Sequence, residues 1–311
     1  MIGVYCDGTS AHLRTNLNEP PSKPGEEVLQ VRAVGICDTD QQLASGYMNY
    51  QGILGHEFVG IRKNGERVTS EINFSCHNCP TCLSGHPNHC PNRTVLGILN
   101  HDGAMAERVA VPERNLHHVP DEISDVEAVF IEPLAAAFRI TEQVAIERGQ
   151  EVAVIGDGKL GILCAWVLRD AGARVTLVGK HPEKLKLAGE GIEGRLLKEM
   201  ESGQNRFGLV VESTGSASGL PTALKLVPPM GTIVLKTTIA EPHSLSLAPI
   251  VVDEVRIIGS RCGPFPKAIA ALKERRIDVR PLIGAEFRLD QAEVAFREAE
   301  RPGARKVVMR V

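Results

Sequence analysis

The sequence predicts an α/β protein of two domains, one mostly β and one built on a doubly wound parallel sheet. The chain of 311 residues exceeds the usual size of a single domain. Short β-branched segments at 28–36, 57–61 and 107–111 are typical of strands, and helical segments are scarce around them. After residue 150, apolar strands alternate with helices, which favours a parallel sheet covered by helices.

The second region shows this alternation segment by segment. Its predicted strands are EVAVIG, RVTLVG, LVVEST, GTIVLK and VRIIG, and its predicted helices cover 159–171 and 217–227. The chain then ends on a predicted strand, helix and strand, EFRLDQAEVAFREAE followed by RKVVMRV, which we expect to return to the first region. The predicted domains are therefore 1–134 with 279–311, and 135–278.

Composition excludes several classes of partner. A net charge of -3, with 23% charged and 43% hydrophobic residues, gives no attraction to nucleic acid or to an anionic membrane. No apolar run reaches the 18 or more residues that span a bilayer, and the N-terminal segment lacks a basic start followed by an apolar run. We therefore expect a cytoplasmic protein. Eight cysteines, half of them in one cluster, favour a reducing compartment and a metal site over a disulfide framework.

The cluster SCHNCPTCLSGHPNHC, residues 75–90, has the C-x2-C-x2-C-x7-C spacing of a zinc site. The predicted ligands are Cys76, Cys79, Cys82 and Cys90. Four ligands leave no open position, so the predicted zinc lobe, at about 75–92, is structural. The histidines of the cluster are expected to be exposed or to lie beside the ligands: His77, His86 and His89. Reduced cysteines without a metal and an iron-sulfur cluster are the alternatives.

A second set of candidate ligands lies upstream, in GICDTDQQLASGYMNYQGILGHEFVG. Cys37, His56 and Glu57 offer one sulfur, one imidazole and one carboxylate. Three protein ligands and an open fourth position are typical of a catalytic zinc ion. The alternative is that the cysteine and the histidine are ordinary core residues.

The stretch VAVIGDGKLGILCAWVLRDAGARVTLVG has the strand, glycine turn, helix and second strand of a dinucleotide-binding fold. Gly156 permits the turn, Gly158 admits the pyrophosphate, and Gly161 allows the helix to approach the strand. Lys159 and Leu160 lie between these glycines at the helix N-terminus, where oxyanions bind. All five are predicted to contact the cofactor.

The end of the second strand predicts which dinucleotide binds. An NAD enzyme carries Asp or Glu there to bind the ribose hydroxyls, whereas this chain has Gly179, Lys180 and His181. Without a carboxylate to repel a 2'-phosphate, and with Gly179 and Lys180 at the site, NADP is expected to bind better than NAD. The alternative is a solvated Lys180 and a pocket that does not discriminate.

These motifs, together with DGAMAERVAVP, VPDEIS and IEPLAAAFRI, resemble the zinc-dependent medium-chain dehydrogenase/reductase family over nearly the whole chain. The resemblance is to its polyol, sugar and threonine dehydrogenase branch. It implies a GroES-like catalytic domain, a Rossmann domain, two zinc ions per chain, and a homodimer or homotetramer. It also implies hydride transfer between NAD(P) and a small alcohol or carbonyl substrate, here a polyol, sugar or amino alcohol.

The resemblance also implies roles for residues around the catalytic zinc. Cys37 and His56 match the zinc ligands, and Asp40 matches the carboxylate that orients the histidine. Glu57 matches a glutamate that binds the metal in some members. Glu132 stands where the polyol branch has a glutamate, which would favour oxygen-rich substrates; the alternative is a charge stabilised by a helix dipole.

Further residues are expected to handle the substrate. Thr39 matches the hydroxyl that takes the substrate proton, whereas Gln42 stands where several relatives have a relay histidine. An amide cannot relay a proton, so the exit route is expected to run through the nicotinamide ribose and water. The residues expected to shape the pocket are Met48, Asn49 and Tyr50.

Two alternatives to this function remain open at the level of sequence. One is an NADPH-dependent reductase of bulky aldehydes or ketones, which uses the same groups. The other is a catalytically inactive nucleotide-binding regulatory protein, because the segment between His56 and Cys76 is shorter than is usual in the family.

Overall fold

A computed structural model describes residues 1–200, 206–239 and 244–311. The chain divides into two compact units. The first comprises Met1–Glu132 and Val279–Val311, and the second comprises Pro133–Asp278.

The first unit is mostly β. Its strands are β1 (Gly3–Asp7), β2 (Ala11–Arg14), β3 (Glu26–Gly35), β4 (Gln51–Ile53), β5 (Glu57–Ile61), β6 (Arg67–Ser70), β7 (Asn73–Phe74), β8 (Thr94–Val95), β9 (Arg108–Pro112), β10 (Leu116–His118), β17 (Ile283–Arg288) and β18 (Lys306–Arg310). Its helices are short: α1 (Asp38–Ala44), α2 (Pro80–Leu83), α3 (Asp125–Ala128) and α11 (Ala292–Ala299).

The main sheet of this unit has the order β10-β6-β5-β3-β18-β17, with β9 also paired to β3. Strand β3 alternates buried and exposed side chains at its centre, as expected for a strand with one face on the core. The β2-β1-β4 and β7-β8 sheets are smaller.

Strand register places three strand ends side by side. Gly35, the last residue of β3, pairs with Glu57 at the start of β5 and with Val308 in β18. Cys37 follows β3 directly, and Lys306 is the first residue of β18. Antiparallel neighbours lie about 5 Å apart, so this register brings residues from three distant parts of the sequence to one spot.

The second unit is a six-stranded parallel sheet of order β13-β12-β11-β14-β15-β16. Its strands are β11 (Glu151–Ile155), β12 (Arg174–Gly179), β13 (Ile192–Leu196), β14 (Leu209–Glu212), β15 (Thr232–Leu235) and β16 (Arg256–Gly259). Its helices are α5 (Lys159–Asp170), α6 (Pro182–Leu185), α7 (Leu197–Met200), α8 (Gly219–Leu226), α9 (Ala248–Val252) and α10 (Phe265–Lys273). Helix α4 (Ile131–Gln143) contains the boundary between the units.

The sheet order of the second unit reverses between β11 and β14, the topological switch point at which doubly wound sheets bind ligands. Strands β11, β12 and β14 are almost wholly buried, which agrees with a sheet covered on both faces. The predicted α/β class and parallel-sheet domain are confirmed.

Candidate functional site

The four cysteines of the cluster lie together in the first unit, as free thiols. The sulfurs of Cys79 and Cys82, and those of Cys90 and Cys76, are 3.5 Å apart. The other close distances are 3.8 Å between Cys79 and Cys90 and 4.0 Å between Cys76 and Cys82. Zinc-sulfur bonds of about 2.3 Å in a tetrahedron require sulfurs about 3.8 Å apart, so this cage has the size of a zinc site.

The cluster's histidines do not belong to this cage: His77, His86 and His89 are all exposed. The cage therefore offers four sulfur ligands and no open position, which favours a structural metal over a catalytic one.

Replacing Cys90 by serine should remove one zinc ion per chain and lower the thermal midpoint of unfolding. Metal binding at such a site is folding free energy, about 10 to 16 kcal/mol in small zinc domains. Zinc content and the melting curve check this, with Cys262→Ser, a half-buried thiol outside both cysteine-containing groups, as the control. A well-folded, active Cys90→Ser protein that lacks this zinc would contradict the structural role.

The second group of candidate ligands is also assembled. One ligand atom each from Cys37, His56 and Glu57 lies within 4.8 Å of the others. His56 and Glu57 are buried, and Cys37 is half-buried. Burial, and next the charge of Glu57, raises the pKa of the Cys37 thiol. A zinc ion would take this group as thiolate, because a coordinating thiol is deprotonated, so the donor set fits the metal.

Asp40 holds this group in place from the first turn of α1. Its fully buried carboxylate accepts hydrogen bonds from the Cys37 amide at 2.8 Å and the Gly55 amide at 3.1 Å. The same carboxylate lies 3.3 Å from Nδ1 of His56. An imidazole held at Nδ1 by a carboxylate presents Nε2 to a metal. One aspartate thus fixes the backbone of one candidate ligand and faces the ring of another at Nδ1.

Lys306 closes the group on the side of Glu57. Its ammonium forms a close buried ion pair with the Glu57 carboxylate and donates to the Ile36 carbonyl at 3.3 Å. Burial alone would lower the pKa of Lys306, but the charges of Glu57 and Cys37 and the hydrogen bond to Glu57 together raise it by more, above its ordinary value. The lysine therefore stays charged and holds the Glu57 carboxylate beside Cys37 and His56.

The remaining predicted residues differ in their exposure to solvent. Thr39 is half-buried on α1, two residues after Cys37, and Gln42 is exposed on the same helix. Glu132 is half-buried in the first turn of α4. Within the described ranges, the group of mutually close ligand atoms does not extend to Glu132.

The residues predicted to shape the pocket differ among themselves. Met48 and Asn49 are exposed and adopt left-handed backbone angles, φ 59° and 49°, which are uncommon for side chains other than glycine. Tyr50 is buried, and its hydroxyl lies 2.8 Å from the Ile53 carbonyl and 2.9 Å from that of His101. The Tyr50 hydroxyl is thus hydrogen-bonded to backbone carbonyl groups.

The glycine loop of the second unit lies between β11 and α5. Gly156 has φ +120°, and a Cβ there would meet the Ser213 carbonyl oxygen at 2.6 Å. A Cβ on Gly161 would lie 1.8 Å from the Gly156 carbonyl oxygen, whereas one on Gly158 would meet no atom within 4 Å. The first and third glycines are therefore required by packing. The open space at Gly158, beside Lys159 and Leu160 in the first turn of α5, fits an approaching pyrophosphate.

The end of β12 differs from the sequence-based expectation. Asp157, from the glycine loop, accepts hydrogen bonds from the backbone amides of Lys180 at 2.7 Å and His181 at 2.8 Å. A Cβ built on Gly179 would lie 2.3 Å from Oδ2 of Asp157. A carboxylate therefore lies at this strand end, although it does not come from the strand. The premise of the NADP prediction, that no carboxylate is present there, was wrong.

Two protein-family models and a curated relative match this chain. The model of the alcohol dehydrogenase GroES-like domain matches residues 23–121, and that of the pyridine nucleotide-disulphide oxidoreductases matches 151–209. A sorbitol dehydrogenase from Halalkalibacterium halodurans is 27% identical, over 94% of each chain.

Solved structures agree. A zinc-binding dehydrogenase from Sinorhizobium meliloti, bound to NADP, superposes with a TM-score of 0.89 at 27% identity and covers 100% of this chain and 99% of its own. These matches confirm the predicted resemblance to the zinc-dependent medium-chain dehydrogenase/reductase family. The rspB alcohol dehydrogenase of Escherichia coli, in complex with NADH, superposes on this dehydrogenase with a TM-score of 0.88 at 27% identity, covering 100% and 99% of the two chains.

The matches also confirm the predicted GroES-like and Rossmann architecture and an alcohol dehydrogenase-type oxidoreductase that uses NAD(P). Within the described part of the dehydrogenase, no helix is both long and apolar enough to cross a bilayer. The short segment between His56 and Cys76 folds as β5, β6 and β7 and leaves Cys37, His56 and Glu57 together.

Sequence reasoning missed two residues of this dehydrogenase. Lys306 is a buried charge at the start of a terminal strand whose centre is apolar, and a buried lysine needs a partner. Asp157 stands at a variable position of the glycine motif. The absence of an acid after β12 was the one signal that could have prompted a search for a carboxylate supplied from elsewhere.

Proposed function

We propose that this dehydrogenase oxidises a secondary alcohol of a polyol, sugar or amino alcohol to the carbonyl, and reduces the carbonyl in the reverse direction. In oxidation, the substrate carbon gives a hydride to the oxidised nicotinamide, and its hydroxyl gives a proton to solvent. The observation that carries the proposal is the buried group of Cys37, His56 and Glu57, with Asp40 against the imidazole. Such a donor set with an open position is typical of catalytic zinc.

Each group that is bound supplies a defined part of the chemistry. A bound zinc ion would act as a Lewis acid, which lowers the pKa of bound water to about 7, and nicotinamide would exchange hydride. Cys37 and His56 would hold the metal, and Asp40 would keep the imidazole oriented. Lys306 would hold the Glu57 carboxylate beside Cys37 and His56 through the buried ion pair.

The substrate proton is proposed to leave through the Thr39 hydroxyl. Thr39 lies on the same helix as Asp40, two residues from Cys37. Gln42, one turn further on, has an amide that can accept a hydrogen bond but does not titrate. The proton would therefore continue from Thr39 to the cofactor ribose and water.

A polyol or sugar substrate is supported by the oxygen donors around the site and by the sorbitol dehydrogenase relative. The Glu57 carboxylate would make the ligand set harder than one of sulfur and nitrogen alone. Coordination by Glu132 would add to this effect. A harder zinc ion favours substrates that offer a second oxygen. The proposed zinc content is two ions per chain, one in each cluster.

The location and the oligomeric state of the dehydrogenase stay predictions. The eight free thiols support a reducing, cytoplasmic location. The homodimer or homotetramer is to be checked by light scattering.

A substrate panel tests the proposed function. Polyols, aldoses, amino alcohols and bulky aldehydes are assayed with both dinucleotides, before and after chelation of the catalytic zinc. We expect turnover of polyols or sugars that chelation abolishes and zinc restores. Preferential reduction of bulky aldehydes would favour the reductase alternative. Turnover that survives full loss of zinc would contradict the proposal.

A further inference from the structure

The end of β12 has an anion-binding shape that the protein itself fills. The backbone amides of Lys180 and His181 both point at one oxygen, Oδ2 of Asp157. Nδ1 of His181 lies 3.0 Å from the same oxygen and 3.2 Å from Oδ1. Successive amides converging on one oxygen are the donors that proteins use to bind phosphates. Here they are already satisfied by a carboxylate.

Packing shows that this contact is built into the fold. Asp157 is only 9% exposed. Gly179 has no side chain in the volume that the carboxylate occupies, since a Cβ there would meet three atoms of Asp157 at 2.3 to 2.6 Å. The glycine that ends the strand and the aspartate in the glycine loop therefore form one arrangement. In this arrangement the carboxylate at the end of β12 is supplied by the glycine loop and not by the strand itself.

The charge of Asp157 is secure. Burial raises the pKa of its carboxyl group, but the hydrogen bonds from His181 and from the Lys180 amide lower it by more, so the pKa lies below its ordinary value. The carboxylate is thus ionised at neutral pH and presents a fixed negative charge.

In dinucleotide-binding folds this strand end meets the adenosine ribose, and a carboxylate there selects NAD whereas a cation accommodates the 2'-phosphate of NADP. We infer that Asp157 sets the cofactor specificity of this dehydrogenase, selecting NAD because it occupies the two amides that a 2'-phosphate would need. The inference rests on the proposed use of a nicotinamide dinucleotide and adds which one is bound.

Lys180 acts in the opposite direction but more weakly. Its side chain is exposed, and an exposed ion pair contributes at most about a fivefold preference. The loss of the Lys180 and His181 amides as donors has a larger effect on the binding of a 2'-phosphate, because each charge-assisted hydrogen bond contributes about tenfold to a hundredfold in affinity. The carboxylate at the strand end adds repulsion to this loss. The balance favours NAD.

Calorimetric titration of the zinc-loaded protein with NAD and NADP, at neutral pH and moderate salt, tests the inference without any turnover. We expect NAD to bind at least about tenfold tighter. Asp157→Asn, which removes the charge and keeps the volume, should reduce this ratio about tenfold. Asp157→Ser, which vacates both amides, should reduce it further and favour NADP.

Glu183→Gln is the matched control, because it removes an exposed negative charge from α6, directly after this loop. It should leave the ratio within about twofold. Equal shifts in Asp157→Asn and Glu183→Gln would overturn the inference, since general surface charge would then be the cause.

The emission of Trp166, the single tryptophan, reports whether each Asp157 variant is folded. If the variants do not fold, the ratio of NAD to NADP affinity in the wild-type protein still tests the inference. Tighter binding of NADP than of NAD would overturn the inference and leave the proposed function intact. A wild-type protein that binds neither dinucleotide would overturn the proposed function, and the inference with it.

Discussion

Replacing His56 by alanine is expected to lower turnover by more than about 1,000-fold and to leave dinucleotide binding unchanged. His56 is buried and joins Cys37 and Glu57 in the candidate catalytic group, whereas the glycine loop belongs to the other unit. Loss of an outer-shell partner alone costs about 10- to 100-fold in activity or metal affinity. Removal of the ligand itself should cost more, because the polarising metal is then lost.

Three measurements separate the causes of this loss. They are zinc content, turnover on the best substrate of the panel, and dinucleotide affinity by calorimetry. His118→Ala is the matched control, since His118 is 59% exposed and pairs only with the surface carboxylate of Glu66 among the described residues. It should retain near wild-type values in all three. Near-native turnover of His56→Ala with one zinc ion missing would show that this metal is not the catalyst.

The arrangement of the candidate ligands could largely be predicted from the sequence. Cys37 and His56 lie on either side of a short helix and loop, and Glu57 follows His56 directly, so local spacing limits how far apart the three can be. The four-thiolate cluster is more local still. Alternating strands and helices likewise predicted the parallel sheet, because each of these signals depends on neighbours in the sequence.

The contacts of Lys306 and Asp157 could not be predicted from the sequence. Lys306 meets Glu57 across 249 residues, and the meeting depends on the pairing of β18 with β3, which no local pattern reports. Asp157 reaches Lys180 and His181 through the conformation of the glycine loop. A motif that fixes only its glycines carries no information about where the side chain between them points.

Replacing Lys306 by methionine is expected to lower the apparent free energy of unfolding by about 3 to 5 kcal/mol. Lys306 and Glu57 are 2% and 1% exposed. Methionine fills the volume of the lysine stem but leaves the Glu57 carboxylate buried without its countercharge. Such a charge must be neutralised or solvated, and either outcome disturbs the junction of β3, β5 and β18 on which Cys37 is held.

The double variant Lys306→Met with Glu57→Gln separates charge from packing. A neutral pair of similar volume has no buried charge to compensate, so most of the lost stability should return. Lys267→Met is the matched control, because Lys267 is 49% exposed and its pair with Glu142 should contribute less than about 1 kcal/mol. Urea unfolding of the zinc-loaded proteins, followed by circular dichroism, measures all three. A single variant as stable as the wild type, or a double variant no more stable than the single one, would show that the ion pair does not hold this junction together.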